Sequence, residues 1–271
     1  MPELPEVETV IRSITPKIIN RKIANLNVLW NKTLSTHFDY QLKKILYNKI
    51  INSVSRRGKY IIFHFDDGFL ITHLRMTGKL IFQEKYKKKL SHARFELIFE
   101  DKSQLTFSDI RKFGRIGFYK EIDFLNKKLG LEPFSKELTI KYLSNKFRNR
   151  NGPIKGTLLN QSIIAGIGNI YADEILFRTN IHPQTPANKL KSKNIKKLIS
   201  SIKYILNEAI NSMGTTIINF SFDKDSFGNY GSKLKVFNRL NKNCKICMDF
   251  ILKIKCAGRG TYFCPSCQRL N

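Results

Sequence analysis

The sequence predicts an α+β protein: an N-terminal helix and a β-sandwich, then a helical domain that ends in a four-cysteine metal hairpin. Three observations carry this expectation. Seven short runs rich in β-branched and aromatic residues crowd the stretch from Lys22 to about Lys120, the spacing of a sandwich or flattened barrel. From Ile140 onward the apolar period turns helical. All five cysteines lie beyond residue 240, which argues for one local site rather than a disulfide scaffold. The expected division is 1–132, 133–238 and 239–271.

Taken in order, Val7, Val10, Ile11 and Ile14 recur at helical spacing, and Pro5 suits the first turn, where its missing N–H costs nothing. The expected strands are Lys22–Trp30, Ile50–Arg57, Tyr60–Phe65, Phe69–Arg75, Arg94–Phe99, Gln104–Phe107 and Ile116–Tyr119. Asp67-Gly68 reads as a hairpin turn and Lys85–Lys89 as an exposed loop. Leu129-Gly130-Leu131-Glu132-Pro133 breaks the pattern and reads as a hinge. Helices are expected over Tyr142–Phe147, Ile154–Gln161, Ile170–Arg178 and Lys193–Met213.

Charge narrows the partner. The chain carries 48 Lys+Arg against 21 Asp+Glu, a net +27, which suits an anionic polymer. The excess is mostly lysine, in a chain also rich in Ile and Asn, as AT-rich coding produces, so the charge permits nucleic-acid binding without proving it. No stretch approaches the roughly 20 apolar residues of a membrane span. The N-terminus carries acids and prolines where a secretory signal would be basic and then apolar, and the chain is expected to be intracellular.

Four motifs carry chemistry. Cys244-x2-Cys247, sixteen residues, then Cys264-x2-Cys267 supplies the four thiolates of a closed structural zinc site; Cys256 stays a free thiol. Between the pairs, Gly258-Arg259-Gly260-Thr261 reads as a hairpin tip presenting a guanidinium to phosphate. Ala165-Gly166-Ile167-Gly168-Asn169 joins two helices, with Asn169 suited to cap the second and leave N–H groups for a phosphate. The fourth is Pro2-Glu3-Leu4-Pro5-Glu6-Val7. Aminopeptidases remove Met1 before a small residue, which would leave the secondary amine of Pro2, able to form an iminium with a sugar aldehyde carbon, next to a carboxylate.

These segments together, MPELPEVETV, AGIGNIYADE and GRGTYFCP, resemble the formamidopyrimidine-DNA glycosylase family, base-excision enzymes for oxidised purines, and they occur in the family's order along the whole chain. The resemblance implies a helix–two-turn–helix in the middle domain. It implies catalysis by Pro2 and Glu3, with Lys59 beside the amine and Glu6 supporting the terminus or the base. It places His73, Lys155, Asn169 and Arg259 on DNA phosphates, and Met76, Arg111 and Phe113 in the gap left by an everted base. Read alone, Met76 and Phe113 are core residues, and Arg56–Tyr60 is a basic turn. The family's usual Asp-Pro-Arg-Arg-Phe-Gly is here Asp109-Ile110-Arg111-Lys112-Phe113-Gly114, and Phe237 stands where relatives often carry a phosphate-binding tyrosine.

The implied protein is therefore a bifunctional DNA glycosylase and abasic-site lyase with one structural Zn2+, no organic cofactor and double-stranded DNA carrying oxidised purines as partner. It is a monomer of the bacterial cytoplasm, used at the nucleoid. The segment Thr215–Lys235 is expected to meet the lesion. Two rivals stand beside it. An endonuclease VIII-like enzyme for oxidised pyrimidines usually begins Pro-Glu-Gly-Pro-Glu, against which Leu4 argues. A non-catalytic zinc-hairpin DNA-binding protein leaves Pro2-Glu3 without a purpose.

Overall fold

A computed structural model describes residues 1–85, 90–215 and 228–270. Residues 86–89 of the expected lysine loop and 216–227 of the expected lesion-contacting segment lie outside the described residues. The chain forms two compact units: Met1–Leu125 with Met213–Gly228, and Asn126–Ser212 with Asn229–Asn271.

In the first unit, helix α1 (Leu4–Ile18) buries Val7, Val10, Ile11, Ile14 and Ile18 along one stripe. The strands are β1 (Ile23–Val28), β2 (Ser53–Arg57), β3 (Tyr60–Phe65), β4 (Gly68–His73), β5 (Gly78–Gln83), β6 (Ala93–Phe99), β7 (Gln104–Asp109) and β8 (Arg115–Tyr119). They pair antiparallel as two four-stranded sheets, β1-β6-β7-β5 and β2-β3-β4-β8, the β-sandwich. Leu26, Phe63, Leu70, Leu80, Phe95 and Phe107 meet the α1 stripe in one core. Each buried side chain of this size is worth about 1.5–3 kcal/mol.

Several elements carry no clear sequence pattern, β5 among them. β5 is Gly-Lys-Leu-Ile-Phe-Gln, whose three consecutive apolar residues show no alternation, yet it pairs with β7 from Gly78↔Asp109 to Gln83↔Gln104. Helix α2 (Asp39–Leu46) buries only Leu42 and Leu46, too narrow a stripe to register as a period. The turn expected at Asp67-Gly68 also shifts by one residue: Phe65 pairs with Gly68, so Asp66-Asp67 forms the turn.

After α3 (Asp123–Lys128), the second unit contains α4 (Ile140–Phe147), α5 (Ile154–Leu159), α6 (Asn169–Thr179), α7 (Ser192–Asn211), α8 (Tyr230–Lys233) and the hairpin β9 (Leu252–Cys256) and β10 (Arg259–Phe263). The expected hinge at Leu129–Pro133 is not a free linker. Gly130 N–H donates to Gln161 O (2.8 Å), Leu131 N–H to Ile163 O (3.3 Å), and Ala165 N–H to Leu131 O (2.9 Å). Those bonds sew the segment onto the corner before α6. Helix α6 is buried on nearly every side, including Tyr171, Asp173, Glu174 and Leu176, so it lacks the one-sided pattern of a surface helix. Among the described residues no helix is long and apolar enough to cross a membrane.

Candidate active site and nucleic-acid interface

At the start of α1 the chain folds its acids inward. Glu3 and Glu6 are buried, and the Glu3 N–H donates to Glu6 Oε2 at 2.9 Å. The other Glu6 oxygen accepts from Thr215 N–H (2.8 Å) and Thr215 Oγ1 (3.1 Å). Gly214 permits this approach: its φ is +73°, and a Cβ there would lie 2.7 Å from Glu6 Oε1. Glu6 thus ties the terminus to the returning segment. Pro2 is buried beside these acids. Burial lowers the pKa of the terminal amine on Met1, Glu3 and Glu6 pull it back up, and Lys59 and Arg111 lower it further.

Lys59 closes the two-residue turn between β2 and β3, with Arg57 paired to Tyr60, and it is buried. Tyr60 pairs with His73 across the sheet, and His73 with Arg115, so the strand ends bring Lys59 and His73 to one edge. The Tyr60 ring packs edge-on to His73, with centroids 4.5 Å apart. His73 Nδ1 accepts the Arg75 N–H at 3.0 Å, which puts the hydrogen of the neutral ring on Nε2.

Met76 and Phe113 are 42% and 47% exposed, so neither belongs to the core. Their two loops are bound together by buried Asp109, which the sequence reading passed over. One Asp109 oxygen accepts from Thr77 Oγ1 and from Arg111 N–H (3.2 Å), the other from Gly114 N–H (2.7 Å). An aspartate two residues before a turn amide is a local signal that could have found it. The exposed Arg111 guanidinium lies 4.9 Å from the Phe113 ring centroid.

The second unit corrects one expectation and buries one candidate residue. Asn169 does not cap its helix: Gly168 holds the N-cap position, and Asn169 Nδ2 instead donates to Gly260 O at 3.1 Å. Lys155 is no surface cation. It is wholly buried, 2.7 Å from Asp173 Oδ1, and donates to Thr261 Oγ1 (2.7 Å) and Gly260 O (3.2 Å). Asp173 in turn accepts the Tyr262 N–H at 2.9 Å. Burial pushes the Asp173 carboxyl up to about 7, against the downward pull of Lys155 and of that N–H. Lys155, Asn169 and Asp173 therefore all grip β10.

Arg259 is exposed, and it opens β10 opposite Cys256. The turn itself is Ala257-Gly258, both at positive φ (49° and 71°), as a two-residue I′ hairpin requires. Buried Glu174 accepts the N–H groups of Lys235, Val236 and Phe237, each at 2.9 Å. The Phe237 ring packs against Tyr262, 5.3 Å between centroids. The sulfurs of Cys244, Cys247, Cys264 and Cys267 lie within 4.8 Å of one another, with Cys244–Cys267 at 3.9 Å and Cys247–Cys264 at 3.4 Å. A tetrahedral ion at Zn–S of about 2.3 Å needs S···S edges of about 3.8 Å, so the cluster fits a metal ion. Cys256 stands apart, buried, with Sγ 3.6 Å from Pro183 O.

Profiles of known families match both parts of the chain: the formamidopyrimidine-DNA glycosylase N-terminal domain over residues 1–116, and that family's H2TH domain over 129–221. The formamidopyrimidine-DNA glycosylase of Mycoplasma genitalium is 40% identical, covering 100% of this chain and 97% of its own. That of Cytobacillus firmus is 38% identical, over 99% and 100%. The chain belongs to the formamidopyrimidine-DNA glycosylase family. Among solved glycosylase structures, the Lactococcus lactis enzyme in complex with DNA containing an abasic site superposes with a TM-score of 0.93 at 39% identity, covering 99% of this chain and 100% of that one. The wild-type Lactococcus lactis enzyme with DNA containing an oxidised pyrimidine gives 0.91 at the same identity and coverage. This chain is thus a DNA glycosylase built as a β-sandwich and an H2TH domain, with a four-cysteine cluster near its C-terminus.

Proposed function

We propose that this glycosylase excises 8-oxoguanine and formamidopyrimidines from duplex DNA and then cleaves the abasic strand through an iminium on Pro2. The observation that carries this reading is the sheltered N-terminal amine, its pKa lowered by burial, with Glu3, Glu6, Lys59 and Arg111 around it. With Met1 attached the Pro2 nitrogen is an amide; removing Met1 moves the amine one residue inward. The Pro2 lone pair then attacks C1′ as the glycosidic bond breaks. Glu3 moves the protons that base departure and sugar ring opening require. Loss of the amine hydrogen completes the C1′=N+ iminium, which acidifies the 2′ hydrogens. Removal of one expels the 3′ phosphate, and a second elimination expels the 5′ phosphate. Lys59 holds the adjacent phosphate and disfavours protonation of the amine.

In this reading Cys244, Cys247, Cys264 and Cys267 hold one structural Zn2+, which stiffens the hairpin and leaves no open position for chemistry. Arg259 grips phosphate directly, as do Asn169 and His73, while the burial of Lys155 and its bonds to β10 support a role in holding that strand in place. The protein acts as a monomer in the bacterial cytoplasm. The functional division follows 1–132 for chemistry, 133–238 for DNA binding and 239–271 for the zinc hairpin. Cleavage of a panel of lesion duplexes tests the substrate class. Oxidised pyrimidines belong on it, because a Lactococcus lactis relative was crystallised with such DNA. Faster cleavage of pyrimidine than purine lesions would transfer the protein to the endonuclease VIII-like reading.

Two outcomes follow for binding. With Lys59 and Arg259 as the cationic contacts, log Kd against log salt should have a slope of about 1.8 in magnitude, each contact contributing about 0.9. Arg259→Ala should flatten the slope by about 0.9 and weaken binding by about 1.5–3 kcal/mol. A titration showing no salt dependence would mean that the net +27 is not used on DNA.

Met76, Arg111 and Phe113 fill the gap left by the everted nucleotide. Met76→Ala or Phe113→Ala should slow excision most where the lesion is stably paired in an intact duplex. The deficit should shrink on a preformed abasic site, where unstacking costs less. Equal losses on both substrates would remove these residues from the eversion step.

A further inference from the structure

Trp30, the chain's only tryptophan, is joined to the root of the loop that carries Arg111 and Phe113. Its backbone N–H and that of Leu29 donate to Arg94 O (3.2 and 2.9 Å), and Arg94 Nε donates to Asp109 O (2.9 Å). Over its ring sits the Lys112 ammonium, 4.1 Å from the centroid, well inside the roughly 6 Å reach of a cation–π contact. Lys32 stands at the edge of that range, 6.0 Å away. The indole Nε1 is buried without a hydrogen-bond acceptor, so the ring meets the loop through its π-face and not through its N–H.

The backbone shows why the contact is needed. Lys112 has φ +60°, a left-handed conformation that a side chain with a Cβ adopts only when its surroundings hold it there. Asp109 fixes both shoulders of the loop, at Arg111 N–H and Gly114 N–H, and Lys112 lies between them. The adjacent cations go to different aromatics: Arg111 to Phe113 and Lys112 to Trp30. That separation keeps two like charges apart and leaves Arg111 and Phe113 together as one wedge.

We propose that Trp30 and Lys112 form a brace that positions the Arg111–Phe113 loop in this chain. The proposal rests on the reading of Arg111 and Phe113 as gap-filling residues. Lys112 touches no reacting atom. It acts through the loop, whose ordering would otherwise be paid at each eversion.

The test uses the full-length protein and its single tryptophan as reporter. Lys112→Ala should change Trp30 emission in the free protein, and Lys112→Arg should restore it, since guanidinium also stacks on indole. In single-turnover assays Lys112→Ala should excise a paired 8-oxoguanine about two- to fivefold more slowly, the range for a partly exposed cation–π contact. Cleavage of a preformed abasic site should be unchanged, and Lys112→Arg should recover the excision rate. Unchanged emission in Lys112→Ala would show that the stack does not form and overturn the brace. Equal losses on both substrates would make Lys112 a plain phosphate contact, and an arginine variant as slow as the alanine one would also overturn the proposal. Wild-type protein inert on every lesion duplex would overturn the glycosylase substrate assignment itself, and the brace with it.

Discussion

A preparation with an acetyl group on its terminus should form no borohydride-stable adduct on that terminus with an 8-oxoguanine duplex, and one that keeps Met1 should form none on residue 2, whereas the processed chain should be captured on residue 2. The physical ground is the lone pair: an amide nitrogen delocalises it into the carbonyl, and a secondary amine does not. Burial lowers the pKa of the Met1 amine at this terminus, and Lys59 and Arg111 act in the same direction. Glu3→Gln keeps the side chain's shape in its buried site while removing its capacity to transfer a proton. Base excision should fall by about 10²–10⁴-fold, the usual contribution of a positioned acid/base, with lesion binding retained. Intact mass shows which terminus a preparation carries, and peptide mapping locates the adduct. An adduct on Lys59, or full activity in a blocked chain, would sink the proline mechanism while leaving the protein a DNA glycosylase by family.

Lys155→Met should cost the fold about 3–5 kcal/mol, because it strands the Asp173 carboxylate in an interior where both side chains are wholly buried. The hairpin bonds to Gly260 O and Thr261 Oγ1 go with it, so DNA binding should fall as β10 loosens. The loss should also depend on pH. The folded Asp173 pKa, about 7, already lies above its ordinary value of 3.8, and removing the lysine raises it further. A carboxyl with a raised folded pKa contributes most below its unfolded pKa and loses that contribution as pH rises through the folded one. The variant should therefore be weakest in mild alkali and partly recover near pH 5. Adding Asp173→Asn should return much of the lost stability, since it removes the buried charge and keeps an acceptor for the Tyr262 N–H. Denaturant melts of the four-member cycle measure the coupling. If Lys155→Met were as stable as wild type yet lost DNA binding, the lysine would be the phosphate contact that the family resemblance implied.

Some of this molecule is written in short-range patterns, and those parts were legible. The α1 stripe repeats every three to four residues and is buried as expected at Val7, Val10, Ile11 and Ile14. The two Cys-x2-Cys pairs announce a metal cluster because each pair needs only a tight local turn, and the four sulfurs do converge. The family was readable for a similar reason: its signature segments are contiguous and occur in order. Other features depend on partners far away in the chain. Lys155 looks like a surface cation until Asp173 and β10 enclose it, and only long-range packing can decide between a solvated ammonium and a buried ion pair. Asn169 has the chemistry of a helix cap, but a carbonyl 91 residues away claims its amide. β5 is recognisable only as the neighbour of β7, since a strand with no alternation of its own takes its register from the ladder. Met76 and Phe113 carry the composition of core residues and are kept out of the core by the Asp109 bonds that shape their loops. The sequence by itself determined the family, the order of the parts and the chemistry available to them. The tertiary structure alone decided which charges are buried and which loops are held rigid, because desolvation and cation–π contact depend on neighbours that no local pattern names.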